Sequence, residues 1–164
     1  MRVFLASSIF ALFAPAALAA GPSALGPNGG KFGNWMAATY GSGDSEICYA
    51  FTTPQSSTPA ISGRGKAMLT VTDRQGSPHE VSLTAGYDYP KGATAGLAVG
   101  SQSFNFFTQK DVAFTTSGAD AVAAFEAGNT AIATGPGPHG HTVVDQYSLA
   151  GFSDAYRAIT AACP

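Results

Sequence analysis

The sequence predicts a mainly β domain with one short internal helix and a C-terminal helix. Three observations predict it. Segments alternating apolar and polar residues recur about every 10 to 15 residues between glycine- and proline-rich breaks; one stretch near residue 120 has helical spacing and helix-ending residues; and the last fourteen residues step by three and four instead of two.

Taken in order, "NWMAATY" and "EICYAFT" are rich in aromatic and β-type residues and are separated by "GSGDS", a turn composition, so they predict a first hairpin. After the polar, proline-broken "TPQSSTPAISGRG", the run "KAMLTVTD" puts Leu69 and Val71 on one face and Met68, Thr70 and Thr72 on the other. "RQGSPH" reads as a turn, and "EVSLTAGY" resumes the alternation with Val81, Leu83 and Ala85. "AGLAVG" and "SFNFFT" are two further strands, the second with Phe104 and Phe106 on one face. In "SGADAVAAFEAG" Ser117 and Asp120 have capping-box spacing, Ala121, Val122 and Phe125 form an apolar side, and Gly128 can end the helix. "TAIAT" and "TVVDQYSL" flank the turn "GPGPHGH". From about Gly151, Phe152, Ala155, Tyr156, Ile159 and Cys163 then make one helical stripe, with Asp154 at the positive end of the helix dipole.

The ends bear on compartment. "MRVFLASSIFALFAPAALAA" has one arginine, an apolar run from Val3 and small residues up to Ala19, which predicts a signal peptide over 1–19 cleaved near Ala19/Ala20. The run is shorter than the roughly 20 residues a spanning helix needs, and no later run of that length follows, so no integral membrane segment is expected after cleavage. Residues 20–31, which include "GPSALGPNGGK", are expected to form a flexible leader, and 32–164 a single domain. Without Arg2 the chain carries seven basic and ten acidic side chains, without runs, which argues against nucleic acid or anionic lipid as partners. The pattern fixes no oligomeric state. Two cysteines in an exported chain, Cys48 and Cys163, predict one disulfide closing a loop of about 115 residues.

Reactive chemistry finds little support. His139 and His141 stand two apart and could approach one ion, but a zinc site needs three or four ligands and the remaining histidine is His79, so a turn with solvated histidines is the reading. Ser153 in "GFSDA" lacks the second glycine of a nucleophile elbow and has no histidine after it, and "NGGKFG" lacks the spacing of a phosphate loop. No catalytic residue, metal ligand or cofactor is assigned. Asp145 falls in phase with Val143, Tyr147 and Leu149, so a buried carboxylate is expected, with Arg64, Arg74, Arg157 or turn N–H groups as its partners and a structural rather than catalytic role. Trp35, the single tryptophan, is expected to fill the core.

"FGNW" at 32–35, Cys48, "GRGKAMLTVTDR", "FNFFT", "AVAAFEAGNTAIATG" and above all "DQYSLAGFSDA" at 145–155 together resemble the invasion-associated locus B family, over nearly the whole chain after the leader. The resemblance implies an exported, periplasmic or secreted protein of Gram-negative bacteria with an immunoglobulin-like β-sandwich and no established catalytic residues, some members being linked to host-cell invasion. The chain departs from the family where "MAATY" follows Trp35 without the cysteine many relatives carry, and at the histidines of "GPHGH". The expected function is therefore a non-enzymatic envelope protein that binds a protein or envelope component. A hydrolase or metal-dependent enzyme using Asp145, His139 and His141, and a purely structural envelope protein, are the alternatives.

Overall fold

The computed structural model describes residues 21–164; the expected signal peptide lies outside the described residues. Twelve strands form one antiparallel sheet. In chain order they are β1 (Ser23–Ala24), β2 (Lys31–Phe32), β3 (Trp35–Tyr40), β4 (Ile47–Thr52), β5 (Ser56–Thr58), β6 (Met68–Arg74), β7 (Ser77–Thr84), β8 (Thr94–Val99), β9 (Gln102–Gln109), β10 (Val112–Phe114), β11 (Thr130–Pro136) and β12 (Thr142–Ser148). The helices are a single turn α1 (Pro27–Gly30), α2 (Gly118–Ala127) and α3 (Phe152–Ala162). The predicted β-rich class, the internal helix and the C-terminal helix are all present.

The strand order β1-β3-β4-β6-β7-β10-β9-β8-β11-β12-β5 cannot be flat. In that order β4 and β5 are eight strand spacings apart, about 38 Å in a flat sheet. Yet only residues 53–55 join Thr52 to Ser56, a reach of at most about 14 Å. The sheet therefore curls until its two halves face each other. Cross-links fix the closure: Trp35 Nε1 donates to the Ser148 carbonyl at 3.0 Å, and Asn34 N donates to the Ala150 carbonyl at 3.0 Å. The arrangement has two facing layers, as the implied sandwich does, but hydrogen bonding runs on from one layer to the other.

Alternation decides what the curl encloses. Leu69, Val71, Val81 and Leu83 from one half meet Leu97, Val99, Phe104, Phe106, Ala131 and Tyr147 from the other in one buried cluster. The stripe of α3 docks on β3 and β4, where Phe152 meets Trp35 edge-on at 4.8 Å and Phe125 of α2 at 5.3 Å. Each such aromatic pair contributes about 1 kcal/mol beyond the area it buries. Cys163, one residue past α3, is bonded to Cys48 in β4, with Cα atoms 5.9 Å apart.

Two expectations are corrected. The stretch 20–31, read as a flexible leader, contributes β1, whose Ser23 and Ala24 pair with Thr39 and Ala38, while Leu25 packs against the core. A single partly buried leucine and two paired residues are too little pattern to register as an element. The capping box at Ser117 and Asp120 does not form: Ser117 has φ −101° and ψ 43°, outside the extended geometry a capping serine needs, and its hydroxyl makes no cap bond. The Ser117 carbonyl instead accepts from Ala121 N. Glycine at 118 is required there, because a Cβ would run into the carbonyl oxygen of His79.

Candidate functional site

Asp145 sits in β12 opposite Ser57 of the edge strand β5. Of the four partners considered, Arg64 is the one that reaches it. Its Nη1 donates to Asp145 Oδ1 at 2.8 Å and its Nη2 to Oδ2 at 2.6 Å, a two-pronged ion pair, while Ser57 Oγ donates to Oδ1 at 2.6 Å. Arg64 Nε donates to the Ala85 carbonyl at 2.7 Å, and its guanidinium lies 5.3 Å from the Tyr87 ring centre. Both charged side chains are only 9% exposed. The Asp145 bond holds the guanidinium above its ordinary range against the opposing effect of burial. Arg64 and Ser57 fill three of the roughly four acceptor sites of this carboxylate, and the network joins β5, β12 and the chain leading into β6.

His139 and His141 line a surface recess with Pro59, Ile61, Pro138 and Val143. The turn is closed by Gly137 N donating to the His141 carbonyl. Among the described residues no group of three or more His, Cys, Asp or Glu side chains is placed to hold a metal ion. Ser153 lies in the first turn of α3, and Trp35 is fully buried.

Two features escaped the sequence reading. His79, at φ 64°, stands where the β6–β7 hairpin bulges. Its backbone N donates to buried Asp73 Oδ1 at 2.8 Å, and its Nδ1 bonds the Tyr156 hydroxyl at 2.6 Å. This contact ties the hairpin to α3. The second feature is the outer face of β3, β4 and β6. Registration brings Met36, Phe51 and Thr70 into one row, Ala38, Tyr49 and Thr72 into the next, and Tyr40 beside Ile47 in a third. Met68 extends the patch, and Tyr49 stacks on Phe51 at 5.9 Å. Met36 is 41% and Tyr40 47% exposed. The available signal was that "WMAATY" and "ICYAFT" are apolar on both faces, whereas an antiparallel strand with one wet face alternates. What such a surface can do is exclude water against a complementary partner.

Comparison with known proteins adds three findings. Residues 35–160 match the family model described as "Invasion associated locus B (IalB) protein". The crystal structure of invasion associated protein b from Bartonella henselae superposes with a TM-score of 0.59 at 16% identity, covering 80% of this chain and 95% of that one. At that identity the likeness is one of fold. No curated protein sequence matches the chain.

Proposed function

Because the chain belongs to the invasion associated locus B family, we propose that it is an exported, non-enzymatic protein of the Gram-negative envelope that binds a protein partner through the outer face of β3, β4 and β6. Host contact is the setting the family's description suggests. The observation that carries the reading is that face, with Met36, Tyr40, Ile47, Tyr49, Phe51 and Met68 turned outward and no element of the described chain covering them. Contiguous apolar surface of this kind on a folded protein marks an interaction site more often than it marks a solvated sheet.

Export is supported by the N-terminal apolar run and by the Cys48–Cys163 bond, which suits an oxidising compartment. No helix of the described residues is long and apolar enough to cross a membrane. A non-enzymatic role is supported by the occupation of Asp145 by Arg64 and Ser57.

The test is site-specific photo-cross-linking in intact exporting cells, with a photoreactive residue at Tyr49 or, as control, at exposed Arg157. Adducts to one defined protein from Tyr49 alone are expected. Equal capture from both positions, or none from either, overturns the reading.

A further inference from the structure

We propose that Met36 and Met68 form a reversible oxidation site, through which peroxide makes the outer face of β3, β4 and β6 polar and releases its partner. The inference rests on the reading of that face as a binding surface and adds its regulation.

Sulfur is unevenly placed in the molecule. Of the three methionines in the sequence, Met1 falls in the expected signal peptide, and the other two stand on this one face. The buried cluster of the described residues contains leucine, valine, isoleucine and phenylalanine but no methionine, although an unbranched thioether packs readily into cores. Both cysteines are joined to each other, so no thiolate competes for an oxidant. The two thioethers are therefore the oxidisable sulfur of the exported chain, and both reach the surface, Met36 exposed and Met68 half-buried.

Register places them around one ring. Met36 is the cross-strand partner of Phe51, and Met68 stands two residues before Thr70, the partner of Phe51 on its other side. Directly opposite and diagonal neighbours lie within reach of an aromatic side chain, so the thioethers flank Phe51, on which Tyr49 stacks at 5.9 Å. With hydrogen peroxide, a sulfur lone pair attacks one oxygen, the O–O bond breaks and an S–O bond forms. The departing hydroxide collects the remaining proton and leaves as water; the thioether loses the two electrons that the peroxide gains. The product is a polar sulfoxide, and a dithiol-dependent sulfoxide reductase reverses the change, its thiols becoming a disulfide and the oxygen leaving as water. Sulfoxides beside Phe51 would have to be stripped of water without new hydrogen bonds when the face is covered, which opposes association. Neither methionine belongs to the core, so the fold survives the change.

The protein purified from the periplasm of an exporting bacterium is treated with hydrogen peroxide, and the masses of its peptides are followed over time. Sulfoxide is expected first at Met36 and more slowly at Met68. Near-ultraviolet circular dichroism and the melting temperature should hold, whereas retention on a hydrophobic column should shorten and then recover after sulfoxide reductase and thiol. Protein carrying the photoreactive residue at Tyr49 reports on binding. Irradiated in an envelope extract of the same bacterium, it is expected to capture the partner found in cells at least about tenfold less when oxidised. Met36→Leu with Met68→Leu, which keeps the face apolar, should capture equally before and after peroxide. If that variant misfolds, the reductase-restored protein makes the same comparison without a substitution.

Resistance of both methionines in the folded protein, under peroxide that oxidises them in the denatured chain, overturns the site. So do loss of the fold on oxidation and unchanged retention on the column. If Tyr49 captures its partner equally from the oxidised protein, this inference falls and the binding reading stands. If Tyr49 captures nothing even from the unoxidised protein in cells, both fall.

Discussion

Asp145 and Arg64 come from positions 81 residues apart and are held by two hydrogen bonds of 2.6 and 2.8 Å, with Ser57 as a third partner. Removing one member of such a buried pair costs more than the pair itself contributes, because the other charge is left without its counter-ion. Asp145→Ala is therefore expected to lower stability by about 3 kcal/mol, or about 10 °C in melting temperature; an unchanged melting curve would show that Arg64 re-partners freely. The tyrosines make a second prediction. Tyr156 is pushed up to about 12, by burial first and then by Asp73 and Glu126. Tyr87, Tyr89 and Tyr147 are pushed up as well, again by burial first. A group whose folded value is raised contributes stability that is complete below its ordinary value, near 10, and is lost as pH rises through the folded value. Chemical denaturation should thus show the contribution of these four groups intact up to about pH 10 and falling above it, with a shallower fall in Tyr156→Phe. A stability that rises between pH 10 and 12 contradicts the assignment. The burial of Asp145 was legible from its phase with Val143 and Tyr147, but its partner was not, since no local pattern distinguishes Arg64 from Arg74 or Arg157.

At the scale of elements, what was legible followed local chemistry. The alternation of β6, the stripe of α3 and the pairing of the only two cysteines all announce themselves within a few residues or by elimination. Strands β1, β2, β5 and β10 have two or three residues each, below the length at which alternation can be read, and they exist because longer neighbours offer them an edge. The outward rows of β3, β4 and β6 depend on register between strands, which no single segment encodes. Helix α3 yields two tests. Replacing Cys48 and Cys163 together by alanine should cost about 4 kcal/mol in the chain-entropy account, given a loop of 115 residues, and hydrogen exchange should locate the earliest added exposure at the C-terminal end of α3. Added exposure confined to the far half of the sheet would contradict the role of the bond as a tether. Gly151, at φ 92°, starts the helix where a Cβ would meet the carbonyl oxygen of Phe32. Gly151→Ala should therefore destabilise by more than about 2 kcal/mol in denaturant unfolding, more than the left-handed backbone alone would cost; a change below about 1 kcal/mol would mean that the Phe32–Gly33 backbone moves aside easily.

The whole molecule is a curled sheet closed by its own C-terminus. Trp35, Phe152 and Phe125 meet in its interior, and the Cys48–Cys163 bond seals the end of α3 to the strand whose other face carries Tyr49 and Phe51. Fixing β4 from the inside holds the outer rows in register, so the latch and the aromatic face are two sides of one strand. A binding surface built on paired strands is rigid, and its association loses little to ordering. The central claim is that this face is covered when the protein does its work, and oxidative footprinting tests it most directly. Met36, Tyr40, Tyr49 and Met68 should label readily in dilute purified protein and be protected in intact exporting cells, while Phe107, 54% exposed on β9, labels equally in both. Equal labelling of Met36 and Tyr40 in the two settings would contradict the account.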